Sequence, residues 1–277
     1  MFSRAHRGRP QRRRLTAAAL LLIALLAIAA PAAFAGKPKG EYAPFTGCPL
    51  KTAGVSQCVY AQFTGGKLTF GSMTVPIEHA ITLQGGLIVT GTEETFVNAG
   101  EGETLTKTEE KVPGGFSAGG PKSEPLTLTL ELVGAVALSR GNLAEAKGTA
   151  LKLPVRAHFK NIYVGEECNV GTSASPITLS LTTGTTAPPA PNKPITGSAG
   201  THEVKEAGDL VIYKGDSLVE NAFSVPGAKG CGVGAFKEII NPLFNSAFGL
   251  PAAGGKNTAI LSGTSEFANA EAVLKSE

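Results

Sequence analysis

The chain contains no tryptophan, and aromatic residues make up only 6% of it. Secreted sugar-binding sites often use Trp as a stacking platform, so its absence counts against carbohydrate recognition without excluding it. Charge is scarce too, at 17% of residues. Six of the 25 basic residues (Arg4, Arg7, Arg9, Arg12, Arg13 and Arg14) and none of the 22 acidic ones precede residue 36, so the remainder carries a net charge of −3. The clustered basic face that nucleic acid requires is missing. No Cys-x-x-Cys pair occurs, and His79, His158 and His202 stand far apart in sequence, so neither a metal nor a cofactor is expected. Beyond residue 35 the most apolar stretch, LTLTLELVGAVALS, is short and carries Glu131, so no membrane span is expected there.

Residues 1–35 read as a signal peptide. The basic n-region is followed by LTAAALLLIALLAIAA, and Pro31 precedes the A-x-A-like site Ala33-Phe34-Ala35. The apolar run falls short of the roughly 20 residues of a spanning helix, with an uncleaved anchor as the alternative. RRRLT loosely matches a twin-arginine signal, although plain basic n-regions of the general route are commoner. The expected location is secreted or cell-envelope associated. Four cysteines, all after the signal, suit an oxidising compartment and two disulfides. Three pairings are open, and Cys48–Cys58 with Cys168–Cys231 is favoured. Loop entropy makes these bridges worth ~3 and ~4 kcal/mol.

The 35 Gly, 18 Pro and many Thr describe a turn-rich β protein. Residues 36–58 are expected to form an irregular segment pinned by a local disulfide. Residues 59–277 then form a β domain, with a candidate sub-boundary near 161–168. VYAQFT and KLTFGSMTVPI read as strands joined by a turn at Gly65-Gly66, with a β-bulge at Gly71-Ser72 where the apolar parity changes. Residues 92–124 look like a long polar excursion. LTLTLELV puts Leu126, Leu128, Leu130 and Leu132 on one face, and LKLPVRAHFK does the same with Leu151, Leu153, Val155, Ala157 and Phe159. Ile177, Leu179 and Leu181 alternate likewise. Strands with one apolar and one wet face belong to an antiparallel sheet covered on one side.

Pro154 places its strand at an edge or at a non-bonded ladder position. The Pro-rich 187–194 stretch is a surface loop or a linker, the loop being preferred. DLVIYKGDSLV reads as two strands around a turn at Lys214-Gly215-Asp216. Apolar residues at 236, 239, 240, 243, 244, 247 and 248 make a helical stripe. With Asn241 as N-cap and Pro242 at the first helical position, a short helix runs to Phe248 and ends at Gly249. The expected fold class is all-β, an antiparallel β-sandwich or barrel-like domain with one short amphipathic helix near the C-terminus.

Candidate chemistry is thin. Gly115-Phe116-Ser117-Ala118-Gly119 matches G-x-S-x-G, but no strand-to-helix context surrounds it. The glycines around Cys231 suit a turn at a disulfide better than a dinucleotide loop. The doublets Glu93-Glu94, Glu109-Glu110 and Glu166-Glu167 point to opposite faces of their strands and read as solvated charge, not as a glycosidase pair. His158 reads as an exposed residue.

Four pieces, Cys168-Asn169-Val170-Gly171, SPITLSLTTGTTAPP, NAFSVPGAKGCG and GLPAAGGKNTAILSGT, together resemble a recurring pattern in uncharacterised exported all-β proteins of actinobacteria. The resemblance covers roughly residues 168–264 and implies a compartment and a fold, with no activity and no functional residues to carry over. The reading is an exported, non-enzymatic cell-envelope or extracellular structural or binding protein with an envelope or extracellular partner. The alternatives are a secreted hydrolase whose acid/base pair assembles from distant residues, with 92–124 as a lid, and a carrier of a small apolar ligand held beneath Phe236–Phe248.

Overall fold

Alternating apolar and polar residues make strands, and two layers of strands bury the apolar side of each. The computed structural model describes residues 36–277. The signal peptide expected at 1–35 lies outside the described residues. The first sheet opens with β1 (Val55–Phe70), β2 (Met73–Pro76), β3 (Ile81–Thr90) and β4 (Glu93–Asn98). The chain crosses to the second sheet for β5 (Glu109–Phe116), β6 (Glu124–Leu132) and β7 (Ala137–Leu138), followed by helix α1 (Arg140–Glu145). It continues there through β8 (Leu151–Asn161), β9 (Gly165–Val170) and β10 (Ile177–Leu181). It returns to the first sheet for β11 (Thr201–Lys205) and β12 (Leu210–Glu220), and adds β13 (Ala228–Lys229) to the second. Helix α2 (Lys237–Phe248), β14 (Thr258–Asn269) and helix α3 (Ala270–Lys275) complete the chain.

Each sheet has seven strands, in the orders β11-β12-β14-β1-β3-β4 and β13-β9-β8-β6-β5. β2 is added against β1, and β7 and β10 against β8. Every pairing is antiparallel. Between the sheets lies one apolar core. Phe63, Leu68, Phe70, Leu83 and Leu87 enter it from the first sheet, and Leu126, Leu128, Leu153, Val155 and Phe159 from the second. Burying each side chain contributes about 1.5–3 kcal/mol. This is the all-β sandwich-like architecture that the alternation implies.

Several local readings change, and each change has a physical cause. Gly65-Gly66 is not a turn, because β1 runs unbroken through it beside β14. The pairing slips at Phe63/Gly65, so Thr64 is the extra residue of a bulge, and the bulge restores the burial of Leu68 and Phe70. The turn lies instead at Gly71-Ser72, a two-residue hairpin connection between Phe70 and its partner Met73. Lys214-Gly215-Asp216 is likewise a bulge inside one strand, with Gly215 as the extra residue at φ 68°. Both bulges face β14 at the same residue, Gly263. A Cβ on Gly263 would collide with the carbonyl oxygen of Gln62.

The 92–124 excursion is mostly strand. β4 and β5 occupy much of it, and 99–108 runs beside β3 through hydrogen bonds such as Gln84 N to Thr104 O at 2.8 Å. β8 is not an edge. Pro154 sits where β6 leaves the sheet, its carbonyl accepting from Val133 N at 2.9 Å, so its missing N–H falls past the last paired residue, Leu132. Residues 161–165 are a tight connection between β8 and β9 in one sheet, and residues 37–277 form a single compact unit. The 187–194 stretch is a packed loop. Asn192 donates from its side chain to Asn221 O at 2.9 Å and Asn257 O at 2.8 Å.

α2 begins at Lys237, five residues before Pro242, so Asn241 is not its cap. Asn241 and Asn245, one helical turn apart, instead clamp the helix to β13. Asn245 Oδ1 accepts from Ala228 N at 2.7 Å, and Asn241 Nδ2 donates to Ala228 O at 3.0 Å. These tertiary bonds offset the main-chain bond that Pro242 removes. Phe244 drops from the helix onto Phe116 and Phe159, with ring centroids 5.3 and 5.1 Å apart, and fills the end of the sandwich. The rings of Phe116, Phe159 and Phe244 thus pack together beneath the helix, where the carrier alternative places its cargo.

The Gly215 bulge turns Asp216 into the interior, where it is fully buried. Ser265 Oγ donates to its Oδ2 at 2.5 Å, while its Oδ1 has no partner. Burial pushes its pKa up to about 6, against the pull of hydrogen bonds from Ser265 and Gly263. The folded-state pKa lies above the ordinary 3.8, so this group's stabilisation is complete below that pH and is lost as pH rises through about 6. Unfolding by denaturant is expected to show a loss of ~3 kcal/mol between acid and mildly alkaline pH from this residue. Asp216→Asn should flatten that part of the profile, and an unchanged slope in the variant would contradict the assignment.

Candidate binding groove

Ladder register carries the polar side of the first sheet to one place. One rung reads Glu203, Ile212, Glu266, Tyr60 and Gln84 across β11, β12, β14, β1 and β3. The next reads Thr201, Lys214, Thr264, Gln62 and Thr82, and ends just before the two bulges. These residues share the outer face because side chains in register on one face stand side by side. Farther along, the same face is apolar and covered. Cys58, Leu210, Ile212 and Ala268 form a second cluster with Phe45, Cys48, Ala270 and Val273.

The cover consists of α3 and a 3-10 segment, Gly40–Gly47, that leads to Cys48. Cys48 is bonded to Cys58 of β1, with Cα atoms 5.2 Å apart, so the bridge fastens the segment to the sheet and Cys58 is part of a strand. Where this cover stops, an open groove of about 620 Å3 remains. Gly40, Glu41, Ala43 and Pro44 make one wall, and Tyr60, Gln62, Thr264 and Glu266 make the floor. Lys205 and Lys214 stand opposite. Phe45 meets Tyr60 edge-on at 6.3 Å between ring centroids and holds the tyrosine in place.

The charges of the groove are mostly matched. Lys205 Nζ lies 2.9 Å from Glu41 Oε2 and 3.7 Å from Glu203 Oε1, and Glu41 raises the Lys205 pKa. Lys214 pairs with the other Glu203 oxygen and holds that carboxyl below its usual range. Glu266 differs. Burial raises its pKa, Glu41 raises it further, and Lys205 and Lys214 pull it back only in part. No hydrogen bond or ion pair holds its carboxylate among the described residues.

The residues singled out from sequence fall elsewhere. Cys168 and Cys231 are bonded, with Cα atoms 4.1 Å apart, and tie β9 to the turn before α2. Ser117 lies in the β5–β6 loop with its Oγ donating to Gly120 O at 2.7 Å, and no helix follows it. Glu109 and Glu110 do point opposite ways, but Glu110 is 1% exposed and not solvated. Its Oε1 accepts from Glu78 N and His79 N at 3.1 and 2.9 Å, and its Oε2 lies 3.1 Å from His79 Nδ1. Glu94 is also engaged, 2.5 Å from Arg140 Nε, whereas Glu166 and Glu167 are exposed.

His158 is only 17% exposed, not free in solvent, and its Nδ1 lies 3.5 Å from Glu131 Oε1. Burial raises the Glu131 pKa, and Arg156 with His158 more than reverses this. Among the described residues no three His, Cys, Asp or Glu side chains converge as metal ligands, and no helix is long and apolar enough to cross a membrane. Sequence reasoning missed the groove because its parts come from four distant segments. The one available signal was the polar parity of Tyr60, Gln62, Thr264 and Glu266 on strands whose other face is apolar.

No family model, curated protein or solved structure matches the chain.

The groove's wall depends on one local bridge. Replacing Cys48 and Cys58 together by alanine should cost ~3 kcal/mol in chemical unfolding. It should also speed hydrogen exchange at amides 40–47 well beyond the global change. Equal exchange in both forms would mean that Phe45 alone holds the wall.

Proposed function

We propose that this chain is an exported, non-enzymatic binding protein of the cell envelope or extracellular space, and that the first-sheet groove is its working surface. The observation that carries this is the open stretch of floor at Gln62, Thr264 and Glu266, on a face whose neighbouring apolar part is covered by the disulfide-pinned segment and α3. Its volume falls in the range of small-molecule sites. Two disulfides are compatible with an extracytoplasmic setting. The pattern of residues 168–264, which we read as resembling exported actinobacterial proteins, agrees with this proposal.

The hydrolase reading draws on one feature, the His79–Glu110 contact, in which a buried carboxylate orients an exposed imidazole. Turnover of an envelope polymer that disappears in His79→Gln would favour it.

The binding reading is tested by retention on envelope material from the producing cells. Thr264→Trp fills the groove floor without changing a charge. Its stability should stay within about 1 kcal/mol of the native form, because the site is on the solvent face. Retention should fall about tenfold, the equivalent of ~1.4 kcal/mol. Equal retention of the native and filled forms would end the proposal.

A further inference from the structure

Four charged side chains line the groove, Glu41, Lys205, Lys214 and Glu266, and a fifth, Glu203, stands beside them in ion pairs with both lysines. Lys205 is engaged by Glu41 and Glu203, and Lys214 by Glu203. Glu266 is left over at the centre of the floor, flanked in register by Ile212 on β12 and Tyr60 on β1. With Glu203 counted beside the two lysines it pairs, three carboxylates face two ammonium groups, and the one left without a partner is the half-buried Glu266. A carboxylate withdrawn from water without a partner is costly, and the cost is relieved when a counter-charge arrives.

Ligand classes differ sharply against this background. An anion would have to break a lysine–glutamate pair and then sit beside Glu266. A neutral polar ligand would leave the carboxylate uncompensated. A cation needs no existing pair to break, and Tyr60 beside Glu266 presents an aromatic ring to it. Ala43 and Pro44 offer apolar surface for the stem that carries the charge.

We propose that the groove recognises a cationic group, a primary ammonium on a short aliphatic stem, with Glu266 as its counter-charge and Tyr60 as its aromatic neighbour. This rests on the groove being the binding surface and specifies what it binds. Binding then competes with protonation of Glu266. The other titratable groups facing it are Glu41 from the 3-10 segment, Glu203 and Lys205 from β11, Lys214 from β12 and Tyr60 from β1. Burial and Glu41 raise the Glu266 pKa, so affinity should fall as pH drops through that raised value.

The test is an amide chemical-shift titration of the disulfide-intact protein with four probes. These are 1,5-diaminopentane, N-acetyl-lysine amide, its neutral isostere N-acetyl-norleucine amide, and glutarate. The first two should shift the amides of Tyr60, Thr264 and Glu266 saturably, and the last two should not. A response to N-acetyl-lysine amide alone assigns the cation to a peptide side chain, and a response to the diamine alone assigns it to a free amine. Glu266→Gln should weaken the cationic probes about tenfold. In the native protein their affinity should drop as the pH is lowered from neutrality toward the ordinary glutamate range, a readout that does not depend on the variant folding.

Equal shifts from the neutral or anionic probe, or undiminished binding by a folded Glu266→Gln, would overturn the cation assignment. So would the absence of any shift from both cationic probes. The groove reading itself stands or falls separately, on whether Thr264→Trp loses retention on envelope material.

Discussion

Close approach of three strands at Gly263 is the constraint on which the first sheet depends. β1 and β12 each carry one extra residue where they pass it, Thr64 on one side and Gly215 on the other. A side chain at 263 would meet the Gln62 carbonyl oxygen, so the ladder closes only around glycine. The paired bulges also reverse side-chain parity. On one side of them Ala61 and Phe63 face the core; beyond them Leu68 and Phe70 do. The same reversal buries Asp216 and leaves Lys214 at the rim of the groove.

The second requirement is cover for the outer face. A sandwich sheet needs only its inner face buried, yet Leu210, Ile212 and Ala268 are apolar on the outside as well. The Gly40–Gly47 segment and α3 meet that need over the apolar part of the face, and the Cys48–Cys58 bridge limits where the segment can go. Tyr60, Glu266, Thr264 and Gln62 begin where the apolar residues stop. The groove is thus the boundary between a covered and an uncovered part of one sheet. That origin accounts for its walls of opposite character, apolar beneath the segment and charged along β11 and β12.

Interior polar groups show what local sequence conceals. Glu110 looks like half of a charged doublet and instead caps two main-chain amides at Glu78 and His79. Asn257, fully buried, accepts from Gly71 N at 2.9 Å and donates to Phe223 O at 2.8 Å. It locks the β1–β2 hairpin turn to the loop before β14. Both belong to Gly-rich or Glu-rich stretches that carry no periodic pattern.

What the sequence determined by itself is whatever depends on neighbours two residues apart. Strict alternation at Leu126–Leu132, Leu151–Phe159 and Ile177–Leu181 defined strands, their inward faces and an all-β class, since the strand period is a local property. Glycines within strands were legible as interruptions, but not as to kind. Gly65-Gly66 read as a turn and lies in a continuous strand just after the Thr64 bulge, Gly215 read as part of a turn and is a bulge, while Gly71-Ser72 read as a bulge and is the turn. A turn and a bulge have the same composition, and the choice belongs to the partner strand, β14 at the two bulges and β2 at the turn. The groove was decided wholly by tertiary structure. Residues 41, 60, 205, 214 and 266 meet through ladder register and a disulfide, and neither the register nor the uneven pairing that leaves Glu266 alone exists until the sheet is assembled.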